Sequence, residues 1–207
     1  MKKYLIAVMV ACSVAMTTVH AEPTAQLTGG KTTVRLDAGF VDALVSLGVA
    51  PSAISPGGLN LRKGYVRYPI VGGVIDLDSL AGDIFHSGGL ALEAHNTRVS
   101  LYNFIISTTG DAPVLTGVAT VNGSVVDRIP LFDLELTKEP RITKWGSLRV
   151  WGVKLTLNEI AADTLNDVFG VDAFKEGFPV GTAYLRTHIT GVEEDGDDDD
   201  DDDDDDD

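Results

Sequence analysis

The chain has 207 residues, of which 44% are apolar and 23% charged, with a single cysteine and a formal net charge of −15. From Glu193 to Asp207, 14 of the 15 residues are acidic, so residues 4–192 carry a net charge of only −3. A body this close to neutral excludes a basic nucleic-acid-binding domain, and its apolar content excludes wholesale disorder.

Residues 1–21 read as a secretory signal. Lys2 and Lys3 precede an apolar run from Tyr4 to Met16, and Val19-His20-Ala21 offers a cleavage site after Ala21. The run is shorter than the roughly 20 residues of a membrane-spanning helix, and no other segment reads as a span. The alternative is lipidation at Cys12, where Met9-Val10-Ala11-Cys12 loosely matches a lipoprotein site. Cleavage after Ala21 leaves a chain without cysteine, hence without a disulfide or a thiolate nucleophile. The expected destination is the periplasm or the extracellular space.

Residues 22–31 (EPTAQLTGGK) read as a flexible lead-in, and residues 32–192 as one β-rich domain. Asp37 is a plausible N-cap for a helix over Ala38–Leu47, stopped by Gly48, with Phe40, Val41, Leu44 and Leu47 on one face. Strands and turns follow. Ser87-Gly88-Gly89 reads as a hairpin turn between Asp83–His86 and Leu90–Ala94. His95-Asn96-Thr97 marks the next turn, and Asn122-Gly123 a two-residue hairpin after Leu115–Val121. Trp145-Gly146 marks another. Trp151, Val153, Leu155 and Leu157 alternate with polar residues, which places Trp151 on the buried face. A second helix is expected over Leu157–Phe169, with Thr156 and Glu159 as a capping box and Gly170 at its end. Ala183, Leu185 and Ile189 alternate with Tyr184, Arg186 and His188 in a last strand. The fold class is mainly β (a β-rich α+β chain): an antiparallel meander or sandwich-like, strongly curved sheet, with two short helices over an end or edge. The tail over 193–207 reads as disordered polyanion.

Chemistry-bearing residues are few. His95 and His188 read as solvent-facing, and no two histidines share a metal-ligand spacing. No Gly-x-Ser-x-Gly elbow is present. Ser87 adjoins His86, but strand neighbours face opposite sides, which opposes a nucleophile–base pair. Asp133 and Glu135 share a strand face, the pattern of a solvated surface, and Asp76 and Asp78 read as turn residues. Trp145 and Trp151 are expected in the core or capping one end. The chain is therefore expected to be no enzyme. The candidate ligand contacts are His86, Tyr68, Ser87, Gly88 and Gly89. A second reading rests on the tail: Asp197 through Asp207 could attract divalent cations, mineral or a basic partner, although a bare Asp run has no coordination geometry.

Tyr68-Pro69-Ile70, Gly82–Leu92, Val99–Ile106 and Leu115-Thr116 follow a pattern that resembles the haem-transport-associated (HtaA) domain, over roughly residues 68–136. The pattern is closer still to secreted single-domain bacterial proteins carrying His-Ser-Gly-Gly-Leu. The resemblance implies a secreted, β-rich domain with two short helices. In that family a Tyr near the first helix ligates haem iron and a His supports it. His86 matches the His. The segment matching the Tyr region, Leu36–Leu44, holds no Tyr, His, Met or Cys, so haem is implied by the family while its axial ligand is absent here.

Overall fold

The computed structural model describes residues 24–191. The segment read as a signal, 1–21 with Cys12, and the acidic tail 193–207 with Asp197 and Asp207, lie outside the described residues.

The chain runs β1 (Thr24–Leu36), α1 (Ala38–Ser46), β2 (Ala50–Ile54), β3 (Gly58–Asn60), β4 (Tyr65–Asp76), β5 (Gly82–His86), β6 (Gly89–Ala94) and β7 (Thr97–Ser107). It continues β8 (Val114–Val121), β9 (Ser124–Leu136), β10 (Arg141–Thr143), β11 (Ser147–Leu157), α2 (Glu159–Phe169) and β12 (Pro179–Thr190). All pairings are antiparallel and all twelve strands belong to one sheet. The path β7-β5-β4-β1-β12-β11-β9-β8 returns to β7, so the predicted curved meander closes on itself as a barrel-like sheet. Closure gives each of the eight ring strands a partner on both sides, while β2, β3, β6 and β10 lie off the ring.

Four sequence expectations change. Residues 24–31 are not a flexible lead-in: they are the first half of β1, paired with both β12 and β4. Gly29 and Gly30 form a β-bulge against β12, with positive φ at both. The extra residue moves the inward set from Ala25 and Leu27 to Thr32 and Val34, which is why no single period-2 pattern shows there. Ser87-Gly88-Gly89 is not a hairpin turn either. β5 and β6 both run antiparallel to β7, along the same edge, so the Gly pair is a step in one continuing line of chain. Gly88 lies against the Gly57 backbone, where a Cβ would sit 2.3 Å from its nitrogen.

The third change concerns the tryptophans. Trp145 is 79% exposed at the β10–β11 turn, with Lys144 Nζ 4.8 Å from its ring centroid. A bulge between Trp151 and Val153, at positive-φ Gly152, turns Trp151 out of the inward set; it stacks on Tyr184, centroids 5.7 Å apart. Fourth, α2 starts later than predicted. Leu157 still belongs to β11, its N–H donating to Phe178 O. Asn158 caps instead of Thr156, accepting from Ile160 N.

Other expectations hold. Asp37 caps α1 by accepting from Gly39 N, and Gly170 closes α2 in the left-handed region. Val121 pairs with Ser124 around Asn122-Gly123, both at positive φ, as a two-residue hairpin requires. His95-Asn96 turns β6 into β7.

Each helix follows its strand after one capping residue, and both begin beside the start of β12: Asp37 N donates to Val180 O and Leu157 N to Phe178 O. Both therefore cover one end of the barrel. Phe40 and Leu44 of α1, Ala161, Ala162 and Leu165 of α2, and Phe174 are buried there. They join the larger of two core clusters; the smaller, built on Leu27, Ile70, Ile75, Ile84, Leu148 and Leu185, lies toward the other end.

Candidate ligand-binding site

Between the two clusters lies a cavity of about 290 Å³. Its wall is the inward set of seven of the eight barrel strands and of β9 after its bulge: Val34, Val66, Ile84, Leu101, Leu115, Leu134, Leu155 and Leu185 are representative. Phe40 of α1 reaches it from the helix-covered end. Ser79, Leu80, Thr108, Pro113 and Pro140, all outside the strands, rim it at the opposite end. No lining residue is Asp, Glu, Lys or Arg. A ligand here exchanges water for hydrocarbon, at roughly 25 cal/mol per Å² of apolar surface buried.

Three polar side chains enter the wall at adjoining positions. Thr32 of β1 pairs with Tyr68 of β4, and two residues further along β4, Ile70 pairs with His86 of β5. His86 is 4% exposed. Its Nε2 lies 2.7 Å from Thr32 Oγ1, and its Nδ1 is buried, with the Ile84 and Phe104 backbone beside the ring. Burial pushes the imidazole down to about 4, so the ring is neutral at physiological pH. The Tyr68 ring packs edge-on against Phe104, centroids 4.8 Å apart. Its hydroxyl makes no hydrogen bond among the described residues, and burial raises its pKa, which holds it as a phenol.

The predicted contacts thus divide. Tyr68 and His86 line the cavity together; Ser87, Gly88 and Gly89 do not line it and form the β5–β6 step. Gly89 is required by close packing, since a Cβ there would sit 2.1 Å from Leu101 O. Thr32 escaped the sequence reading because the β1 bulge hid its phase. Its signal was the Thr32, Val34, Leu36 alternation before α1.

The remaining candidates sit apart. His95 and His188 are exposed, as expected. Glu135 is paired with Lys154 on the outer face, and Asp133 accepts from Asn158 Nδ2. Asp76 organises the β4–β5 turn by accepting from Asp78 N, Ser79 N and Ser79 Oγ. The Ser79 contacts hold its carboxyl below the usual carboxylate range. Among the described residues no group of three His, Cys, Asp or Glu could hold a metal ion.

A second, smaller apolar pocket of about 170 Å³ lies against α1, lined by Leu36, Phe40, Leu44, Leu59, Val66 and Leu90 among others. This is the segment where the family resemblance places an iron-ligating Tyr, and its wall is hydrocarbon throughout.

No family model matches the sequence, and no curated protein matches it. Solved structures do match the fold. The C-terminal domain of HtaA from Corynebacterium glutamicum is similar with a TM-score of 0.63 and 12% identity, over 80% of this chain and 99% of that one. The haem-binding protein HtaB from the same organism is similar with a TM-score of 0.51 and 10% identity, over 82% and 98%. The N-terminal domain of HtaA gives a TM-score of 0.52 at 9% identity, over 76% and 98%. At these identities the likeness is one of architecture, and it bears out the resemblance read from the sequence: the chain has an HtaA-like fold.

Proposed function

We propose that this chain is an exported, non-enzymatic binding module that holds a small apolar ligand inside its barrel. One observation carries the reading: a cavity of about 290 Å³, lined by hydrocarbon and a few polar groups, between two core clusters that share Ile106 at their boundary. Ligand sites have this composition, and this volume sits at the lower edge of their range of roughly 300–1,000 Å³, whereas native cores leave few voids larger than a water molecule. Export is supported by the Lys2-Lys3 and Tyr4–Met16 pattern. In addition, no described helix is long and apolar enough to cross a membrane. The non-enzymatic reading is supported by the scatter of the carboxylates and histidines outside the cavity.

HtaB is named as a haem-binding protein, so haem is the ligand the fold family brings to mind. The residues here do not fit it in the family's manner. The α1 pocket offers no atom that could ligate iron. In the barrel, Tyr68 is held as a phenol, and Nε2 of His86 is engaged by Thr32.

The test is a fluorescence titration of purified protein with the neutral dye N-phenyl-1-naphthylamine, beside an Ala183→Phe variant. Ala183 is buried on the cavity wall, so the larger ring occupies the ligand's space. Saturable enhancement in the parent, lost in a variant that keeps its circular-dichroism spectrum, is the expected result. Equal enhancement in both, or none in either, overturns the reading. A parallel haem titration that gives a saturable Soret shift, weakened by His86→Ala, would put haem itself in the barrel. The poly-Asp tail supports a second reading, a surface module drawing divalent cations or a basic partner; its signature is an activity lost with residues 193–207 and indifferent to Ala183→Phe.

A further inference from the structure

We propose that the acidic tail of this chain docks on a basic face of its own barrel, across the outward side of β10, β11, β12, β1 and β4. The proposal is independent of the cavity, which lies on the inward side of the sheet.

The argument starts from register, because directly paired residues of an antiparallel sheet share a face. Arg141 of β10 pairs with Arg149 of β11, Arg149 with Arg186 of β12, and Arg186 with Lys31 of β1. Four cations thus form one row across four neighbouring strands. The next row runs Trp151, Tyr184, Thr33 and Arg67, and the one after it Lys154, Thr182, Arg35 and Tyr65. These rows face outward, since the alternate residues Leu148, Val150, Leu185, Thr32, Val34 and Val66 line the cavity. Lys31, Arg35, Arg67, Arg141 and Arg186 are exposed and Arg149 is half-buried. No Asp or Glu occupies any position in the three rows.

Like charges directly opposite one another destabilise a sheet face, and three such pairs lie side by side here. The ion pairs among the described residues, Arg98–Glu93 and Lys154–Glu135, involve none of these six cations. Aromatic rings are interleaved with them without neutralising them: Arg67 lies 4.4 Å from the Tyr65 ring centroid, and Trp151 stacks on Tyr184. The face lacks a counter-charge, and the chain carries one close by. β12 ends at Thr190, and the acidic run begins at Glu193, with 14 acids among 15 residues. Arg186 lies four residues before the end of β12, about 13 Å back along the strand. Five adjacent strands span roughly 19 Å. Residues 191–207 reach up to about 56 Å when extended, so the tail is long enough to turn back along β12 and cross all three rows.

Tethering selects this occupant over an unattached polyanion, since a linked segment acts at an effective concentration on the order of millimolar. A single exposed ion pair contributes little. The contact is made by many pairs at once, and salt weakens it by screening.

Paramagnetic relaxation tests this in a chain of residues 22–207, which hold no cysteine, with Asp200→Cys carrying a nitroxide. At about 20 mM NaCl the amide signals of Lys31, Arg67 and Arg149 should lose at least about half their intensity, and those of β7 and β8, across the ring, should keep theirs. At about 500 mM NaCl the lost signals should return. Charge reversal by Arg149→Glu together with Arg186→Glu should reduce the loss at Lys31 and Arg67 at least threefold; the salt comparison, made on the parent, provides the reading if that variant does not fold. Loss that is equal at both salt concentrations, loss undiminished in the folded variant, or no loss at Lys31 and Arg67 would each overturn the proposal. So would the same loss in isotope-labelled protein without the nitroxide when it is mixed with spin-labelled protein, because the tail would then sit on a second copy. Each of these outcomes leaves the cavity reading untouched.

Discussion

His86 couples the cavity to pH. Its folded value of about 4 lies well below the ordinary 6.5 because burial penalises the imidazolium. Below pH 6.5 the unfolded chain takes up a proton that the folded chain refuses, so stability falls as pH drops through this window and levels off below the folded value. Between pH 7 and pH 5 the loss is about 2 kcal/mol. Urea unfolding of the parent at the two pH values should show that drop, and His86→Gln, which cannot take up the proton, should flatten it. A parent protein equally stable at both would contradict the buried, neutral assignment. Asp76 acts in a separate window: its lowered carboxyl stabilises the fold above the ordinary carboxylate value, a contribution lost only as pH falls through the folded value. At this scale the sequence showed which residues carry chemistry but not all their company. His86 stood out as the histidine beside a Gly-rich step. Thr32, its hydrogen-bond partner 54 residues earlier, could not be found without knowing that β1 and β5 both flank β4.

The elements show the same division between local and non-local signals. Asp37, Gly48 and Gly170 act within one turn of their helices, and Asn122-Gly123 acts within one hairpin, so all four were legible. The bulges were not, because a bulge is defined by the partner strand. Gly30 shows how much rests on one: a Cβ there would sit 2.2 Å from Arg186 O, at φ +105. Thr187, fully buried, fastens the same bulge by donating to Gly29 O at 2.6 Å. Gly30→Ala must therefore shift backbone, and should cost about 3 kcal/mol, in the range of mutations that strain special backbone positions. Gly29→Ala, at φ +67 with nothing within 4 Å, should cost about 1 kcal/mol, the left-handed penalty alone. Denaturant midpoints of the two variants check the difference; equal losses would mean that the bulge does not set the packing of β1 on β12. The same reasoning explains the misplaced Ser87–Gly89 turn. Glycine adjacent to a strand signals close approach as readily as reversal, and here Gly88 and Gly89 lie against Gly57 and Leu101.

At the scale of the molecule, one end of the barrel is covered by α1 and α2 and the other is rimmed by loops, which leaves the interior reachable from a single side. The cavity separates the core into two clusters, an arrangement that period-2 patterns cannot reveal, since a residue facing a filled core and one facing a ligand have the same periodicity. The fold class and the two capping helices were readable because hydrophobic alternation and helix caps are local. The cavity was not, because its volume depends on how eight strands close. The resemblance to HtaA domains extended to the architecture, and the hydrocarbon wall at α1 shows how one fold can keep its frame while its site chemistry differs.

The most direct measurement is methyl NMR of the protein saturated with N-phenyl-1-naphthylamine, reading nuclear Overhauser contacts between the dye and assigned methyl groups. Contacts are expected to Val66, Leu101, Leu115 and Leu155, which line the interior on four different strands. Contacts confined to the outward-facing Val45, Val125 and Val126 would show that the dye sits on the surface and would contradict a ligand site inside the barrel.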